Sequence, residues 1–166
     1  MLELENVIFD VDGVFTDGSF LYNQNGKCYK RFGAHDSDGL KLLKKHKFNL
    51  LAISADSRGY KITETRMSDM GINLELVSES NRFKFVSDRF DLEKTVFVGD
   101  GIWDSKLLKF CRLGIAPANA TDFAKLSADV ILEHKGGDGA VLEATEVIIK
   151  RMNGEKYWAN YLIENW

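Results

Sequence analysis

Cysteine and proline are both scarce in this sequence. The chain has 166 residues, with only two cysteines, Cys28 and Cys111, and a single proline, Pro117. Two cysteines are too few for a disulfide scaffold, and their separation is not that of a zinc-binding pair. We therefore expect a reducing, cytoplasmic compartment. The opening segment MLELENVIFD carries acids where an export signal would carry bases, so no export signal is expected.

The sequence also lacks an excess of positive charge and any long apolar run. Its 22 basic and 25 acidic residues leave a net charge of −3. That balance argues against a nucleic-acid partner. No apolar run approaches the roughly 20 residues of a membrane-spanning helix, so no membrane partner is expected. With 45% hydrophobic and 28% charged residues, the composition is that of a globular protein, and we expect one domain over residues 1–166.

Short apolar runs rich in β-branched and aromatic residues recur along the chain. They do not alternate strictly with polar residues, which is typical of strands covered on both faces. The runs are 7–9, 50–53, 74–77, 96–98, 114–116 and 130–132. Helical spacing predicts helices over 38–47, 58–70, 82–90, 103–110 and 138–152. This alternation predicts an α/β fold of three layers around a mainly parallel sheet.

Two segments depart from this alternation. Residues 14–33 contain Asn25-Gly26 between alternating residues, which is the strongest short signal for a β-hairpin, so we expect a hairpin projecting from the sheet after the first strand. The tail, residues 153–166, is aromatic and amphipathic. It could dock on its own domain or on a neighbouring copy, and the sequence leaves both open.

Acidic residues follow the first apolar run directly, in the segment DVDGVFTDG. Asp10 and Asp12 are two positions apart, so an extended chain turns both to the same side. Paired carboxylates at a strand end repel each other unless a cation lies between them, and Mg²⁺ prefers such oxygen ligands. Gly13 lets the chain leave the strand tightly and is a candidate to approach a ligand.

Two further strand ends carry candidate site residues. Asp100 and Asp104 follow the run 96–98 in the segment GDGIWD, and the carboxyl ends of parallel strands meet at one edge of a sheet. Ser54 directly follows the run 50–53. Its hydroxyl, with the backbone N–H groups of Ala55 and Asp56, could bind a phosphate oxygen.

In these motifs the chain resembles the haloacid dehalogenase superfamily of phosphohydrolases, from about residue 4 to about residue 150. The segments DVDGVFTDG, FGAHDSDGL and KGGDGAVLE look like its small capless branch. That branch includes octulosonate 8-phosphate and nonulosonate 9-phosphate phosphatases. The resemblance implies a Rossmann-like sheet without a cap domain. It also implies a homotetramer in which the hairpin contributes to a central barrel and a neighbouring subunit closes the active site.

The resemblance also implies roles for individual residues. Asp10 would be the nucleophile that forms an aspartyl-phosphate, and Asp12 the general acid and then the base. The resemblance implies that Mg²⁺ is bound by the Asp10 side chain, the Asp12 backbone carbonyl and Asp100. Asp104 would support that metal site, and Ser54 would hold the phosphate.

The chain departs from the family pattern at its basic residue and beside Ser54. The family expects a lysine before the last catalytic strand. Ungapped alignment with the family pattern places Arg82 at that position, whereas the residue type favours Lys84. Octulosonate phosphatases commonly carry arginine where this chain has Asp56, with Arg58 two residues further on. These departures concern the identity of the substrate more than the phosphatase core.

The favoured hypothesis is a Mg²⁺-dependent phosphomonoesterase that acts on a phosphorylated 3-deoxy-2-ulosonic acid. The candidate cations for the anionic substrate are Lys84, Arg82, Arg58 and Lys135. A second hypothesis keeps the same core but takes nucleotides or nucleic-acid ends as substrates. A third is a non-catalytic oligomeric module that retains the fold, and the four aspartates argue against it.

Overall fold

A computed structural model describes residues 3–165 and contains a six-stranded sheet whose paired strands are all parallel. The order across the sheet is β5-β4-β1-β6-β7-β8. The strands of this sheet are β1 (Asn6–Asp10), β4 (Asn49–Ser54), β5 (Asn73–Leu76), β6 (Thr95–Val98), β7 (Leu113–Ala116) and β8 (Val130–Ile131). All six predicted runs therefore form strands, and the α/β prediction is confirmed.

The central strands are apolar on both faces because helices cover the sheet on both sides. In β1, Val7 and Phe9 belong to one core cluster, whereas Ile8 between them belongs to the other. In β6, Val96 and Val98 belong to the first cluster, whereas Phe97 between them belongs to the second. Successive side chains of a strand point to opposite faces. Continuous apolar runs are therefore required at the centre of this sheet.

Seven α-helices complete the described chain. They are α1 (Asp36–Lys45), α2 (Tyr60–Asp69), α3 (Arg82–Ser87), α4 (Ser105–Phe110), α5 (Asp122–Ser127), α6 (Ala140–Asn153) and α7 (Glu155–Asn165). Helices α1, α2 and α6 supply one core cluster, and α3, α4 and α5 supply the other. Helix α5 was not predicted, and α3 ends three residues earlier than the predicted 82–90. None of the helices in the described range is long and apolar enough to cross a membrane.

The predicted hairpin forms a small sheet of its own. Strands β2 (Leu21–Asn23) and β3 (Gly26–Tyr29) pair antiparallel, and an isolated bridge joins Thr16 to Phe32 at its base. Within residues 3–165 no larger insertion interrupts the strand and helix alternation, in agreement with a capless fold.

The aromatic tail forms α7 and packs on its own chain. Trp158 is buried with Leu42 of α1 and Ile149 of α6. The rings of Tyr157 and Tyr161 lie against His46 at the end of α1. Of the two arrangements that the sequence left open, the structure contains docking on the same domain.

A buried acid begins helix α1. Asp36 is fully buried, and neither of its carboxylate oxygens has a well-formed hydrogen bond within the described chain. Burial raises the pKa of Asp36 to about 7, although the charge of Arg66, the Gly33 amide and His35 all oppose the shift. Charging this group in the folded state is therefore unfavourable.

The pKa of Asp36 makes stability depend on pH. Because the folded pKa lies above the unfolded value, the free energy of unfolding falls as pH rises from about 4 to about 7. We expect wild type to lose ~2 kcal/mol more than Asp36→Asn between pH 5 and pH 8. Denaturant unfolding at both pH values measures this, with Asp38→Asn, an exposed acid of the same helical turn, as the control. Equal pH dependence of Asp36→Asn and wild type would contradict the expectation.

Candidate active site

Three candidate residues meet at the carboxyl edge of the sheet. Asp10 ends β1, Ser54 ends β4, and Asp100 lies two residues after the end of β6. Strand β1 lies between β4 and β6, and its register places Asp10 beside Ile53, next to Ser54. After β1 the chain forms β4 and β5 on one side of β1, and it later forms β6 on the other side. A crevice forms at the strand ends where the order reverses in this way.

Carboxylates from β1 and from the segment after β6 form a tight cluster. One oxygen each from Asp10, Asp100 and Asp104 lies within 4.8 Å of the other two. Gly13 makes this approach possible, because a Cβ at that position would lie 2.0 Å from Asp100 Oδ2. Its φ of +95° also disfavours any other residue. The glycine is therefore required both by backbone conformation and by space.

Arg82 is the buried cation of this cluster. Its Nη1 lies 3.0 Å from Asp10 Oδ1 and also forms an ion pair with Asp104, and all three side chains are buried. Burial raises the pKa of Asp10 well above its ordinary value; the Arg82 charge opposes the shift, while the three neighbouring aspartates add to it. Burial and the charge of Asp104 likewise raise the pKa of Asp100 to about 7. One guanidinium does not compensate three clustered acids.

Asp104 organises the turn that carries Asp100. Its Oδ2 accepts hydrogen bonds from the backbone N–H groups of Asp100 at 3.1 Å and Gly101 at 2.9 Å. Its Oδ1 accepts a hydrogen bond from Arg82. Both oxygens therefore already have partners. This arrangement favours a supporting role for Asp104, which holds Arg82 and the Asp100 backbone in place.

The cluster fits a divalent cation. Carboxylate oxygens are the ligands that Mg²⁺ prefers. The raised pKa values of Asp10 and Asp100 mean that their negative charges are unfavourable in this cluster, and a bound cation would offset them. Asp10 and Asp100 come from adjacent strands and are the two acids of the cluster best placed to hold such an ion.

Asp12 lies beside the cluster among polar groups from two other segments, the end of β4 and the hairpin. Ser54 Oγ donates to Asp12 Oδ2 at 3.3 Å and accepts from the Asp56 backbone N–H at 3.1 Å. Lys30 Nζ lies 2.8 Å from Asp12 Oδ1 and 2.8 Å from Asp56 Oδ2, and Lys27 also pairs with Asp56. Burial of Asp56 raises its pKa, but these lysines and the Gly59 amide outweigh that effect and lower it to about 2.

A cavity of about 360 Å³ opens above these residues. Its walls include the cluster of Asp10, Asp100 and Asp104, the neighbouring Asp12, the segment after Ser54 and part of the hairpin. The lining residues are Asp10, Asp12, Phe20, Lys27, Ala55, Asp56, Ser57, Arg58, Glu79, Arg82, Asp100, Gly101, Trp103 and Asp104. Arg58 and Trp103 are exposed at its surface. The cavity thus combines anionic, cationic and aromatic groups around Asp10.

The structure separates the two candidate basic residues. Arg82 is buried against Asp10, whereas Lys84 is exposed and pairs with Asp88 on the same helix at 2.5 Å. Two residues along an α-helix differ by about 200° in direction, so both cannot face the site. The geometry therefore brings Arg82, and not Lys84, to the cluster.

Several residues that shape the site were not singled out in the sequence. Lys27 and Lys30 belong to the hairpin segment, and its local sequence signals did not indicate that these lysines reach Asp56 and Asp12. Asn119 links two loops: its side chain donates to the Gly13 carbonyl at 3.0 Å and accepts from the Gly136 amide at 2.6 Å. No local pattern marks that asparagine.

Comparisons with known proteins agree with this architecture. A family model for haloacid dehalogenase-like hydrolases matches residues 16–144, a range that includes Ser54, Arg82, Asp100 and Asp104. A 3-deoxy-D-manno-octulosonate 8-phosphate phosphatase from Haemophilus influenzae is 32% identical over 156 residues, which is 89% of this chain and 86% of that protein.

Solved structures show the same likeness. A 3-deoxy-D-manno-octulosonate 8-phosphate phosphatase from Moraxella catarrhalis, in complex with magnesium, phosphate and the octulosonate, superposes with a TM-score of 0.85 and 25% identity, over 99% of this chain and 94% of that one. The cobalt-bound form of the Haemophilus influenzae phosphatase gives a TM-score of 0.78 and 31% identity, over 89% and 88% of the two chains. The motifs, the fold and these matches show that this chain belongs to the family of haloacid dehalogenase-like hydrolases.

Proposed function

We propose that this protein is a Mg²⁺-dependent phosphomonoesterase that hydrolyses the phosphate ester of a sugar acid of the 3-deoxy-2-ulosonate type. The observation that carries the proposal is the position of Asp10. Its buried carboxylate lies against Asp100 and Arg82 at the floor of a cavity. The names of the related phosphatases from Haemophilus influenzae and Moraxella catarrhalis support the substrate class.

The proposed reaction takes place in two displacements. The Asp10 carboxylate attacks phosphorus, the ester bond to the alcohol breaks, and an aspartyl-phosphate forms. Asp12 gives a proton to the departing alkoxide and then takes a proton from the water that attacks the intermediate, which releases phosphate and free Asp10. The Ser54 hydroxyl and the N–H groups of Ala55 and Asp56 donate hydrogen bonds to phosphoryl oxygens.

Charge repulsion is the main obstacle to this attack, because both the nucleophile and the phosphate are anionic. Arg82 beside Asp10 offsets part of it within the protein. A Mg²⁺ ion held by Asp10, Asp100 and the Asp12 backbone carbonyl would supply further positive charge to the transferring group. Arg58 at the cavity surface is a cation available to the carboxylate of a sugar acid.

The first expectation concerns activity and its dependence on metal. With Mg²⁺, the protein should release phosphate from octulosonate 8-phosphate or a nonulosonate 9-phosphate faster than from hexose phosphates or nucleotides. Asp10→Asn should lower kcat by at least ~10³-fold because it removes the nucleophile, and EDTA should abolish turnover. Phosphate release over this panel measures both effects.

The outcomes of the panel separate the hypotheses. Preference for nucleotides would replace the sugar-acid proposal with a nucleotide phosphatase on the same core. Absence of turnover by folded, Mg²⁺-supplied protein over the whole panel would favour a non-catalytic module. Full activity of Asp10→Asn would contradict the proposed nucleophile.

A second expectation concerns the basic residue. Arg82→Lys should lower kcat/KM by ~10²-fold, because the shorter side chain and compact ammonium of lysine do not reproduce the reach and planar shape of the guanidinium that contacts Asp10 and Asp104. Lys84→Met on the same helix should stay within about twofold of wild type, because Lys84 is exposed and forms an ion pair with Asp88 on the surface. Steady-state kinetics, with circular dichroism as a check of folding, measure both variants. The reverse ranking would contradict the assignment of Arg82.

We also propose that the chain assembles as a homotetramer through its hairpin. Leu21, Tyr22 and Tyr29 are more than half exposed on that ribbon, which is unusual for three large apolar side chains so close together. Light scattering at micromolar concentration should give four times the chain mass. Leu21→Glu should shift the distribution toward monomer, whereas Leu126→Glu, at an 86% exposed position of α5, should not. A monomeric wild type would contradict the proposal.

A cytoplasmic location is the compartment that we propose for this activity. Cys28 and Cys111 are both free thiols. Burial raises the pKa of the Cys111 thiol to about 12, so it stays protonated and unreactive at neutral pH. Free cysteines of this kind are typical of proteins kept in a reducing environment.

A further inference from the structure

Lys30 is a buried lysine that lies at the centre of an ionic network beside the active site. Its side chain is fully buried, and its Nζ lies 2.8 Å from Asp12 Oδ1 and 3.1 Å from Asp12 Oδ2. The same nitrogen lies 2.8 Å from Asp56 Oδ2 and donates to Thr63 Oγ1 at 2.8 Å. A buried ammonium is costly unless it is paired and hydrogen-bonded, and this one has both kinds of partner.

The network joins four segments that are distant in sequence. Lys30 follows the second strand of the hairpin, Asp12 follows β1, Asp56 follows β4, and Thr63 lies in α2. Thr63 is itself fully buried and donates to the Gly59 carbonyl at 3.4 Å. The position of Nζ is therefore determined from three sides, independently of any ligand.

Contact with both oxygens of Asp12 restricts that carboxylate in a way that one hydrogen bond would not. Rotation of the carboxylate plane would move an oxygen away from Nζ. A proton donor and acceptor in catalysis must be held close to its productive orientation.

We propose that Lys30 is a positioning residue, which orients the Asp12 carboxylate for proton transfer to and from the oxygen of the substrate and so makes the hairpin part of the catalytic apparatus. This inference rests on the proposed function, in which Asp12 gives a proton to the departing alkoxide. Lys30 itself is not placed in contact with substrate; it does not line the cavity within the described chain.

A second hairpin lysine separates this role from simple anchoring of the hairpin. Lys27 pairs with Asp56 and lies 3.4 Å from the centre of the Phe20 ring, and within the described residues Asp56 is its only ion-pair partner. Lys27 therefore shares the attachment of the hairpin with Lys30 but not the contact with Asp12. If anchoring were the whole role of Lys30, both lysines would affect all substrates alike.

The test compares two leaving groups. A sugar alkoxide needs a proton to depart, whereas 4-nitrophenolate leaves readily without one. In Lys30→Met, kcat/KM for octulosonate 8-phosphate should fall ~10²-fold, while kcat/KM for 4-nitrophenyl phosphate should fall less than about tenfold. Lys30→Arg should recover part of the loss. Lys27→Met should lower both values by the same factor, and the surface variant Lys61→Met should leave both unchanged.

Each result either supports the inference or overturns it. A selective loss with the alkyl phosphate in Lys30→Met supports it, and an equal loss on both substrates overturns it while leaving the proposed function intact. If wild type hydrolyses neither compound, the proposed function and the inference fail together. If Lys30→Met does not fold, Thr63→Val carries the test, because it removes one acceptor of Nζ without touching Asp12. If the ratio of kcat/KM for octulosonate 8-phosphate to kcat/KM for 4-nitrophenyl phosphate is the same in Thr63→Val as in wild type, the inference is overturned.

Discussion

The crowding of two buried carboxylates and a half-buried one around a single arginine is the constraint on which this active site depends. Asp10, Asp100 and Asp104 are brought together at the end of the central strands, and Arg82 is their only buried cationic partner in the described chain. Such an arrangement is unfavourable unless further positive charge enters it. Gly13 supplies the space that the cluster needs, and Asp104 holds both the arginine and the turn that carries Asp100. The need for a cation is therefore a consequence of the fold itself.

A second ionic network beside this cluster balances its own charge. Lys27 and Lys30 of the hairpin offset Asp12 and Asp56, so an acid after Ser54 does not leave the cavity wall with uncompensated negative charge. The negative charge of Asp56 is therefore compensated within the chain. The hairpin thus supplies charge to the site from its lysine-bearing side, while Leu21 and Tyr29 are left exposed elsewhere on the ribbon.

The accuracy of the sequence-based predictions varied with element length and burial. The six strands were recognisable because each is a run of apolar residues, and β1 and β6 are fully buried. Helix α6 shows a long apolar stripe and was predicted to within two residues at its start. Helix α5 was missed because it has six residues, of which only Ala124 is buried, so it lacks an apolar stripe. Its N-terminal cap, where Thr121 accepts from the Ala124 amide, was the one local signal.

The sequence alone determined the sheet, the hairpin and the acids at its active edge. Parallel strands end at the same edge, so the sequence placed Asp10, Ser54 and Asp100 at one edge of the sheet, and the strand order β4-β1-β6 in the structure made them neighbours. Tertiary structure alone decided which cation joins them, because Arg82 and Lys84 differ by about 200° around α3 and only packing orients that helix. It also decided the partners of Lys30, because a hairpin folds from local signals but its contacts with Asp12, Asp56 and Thr63 depend on where it docks.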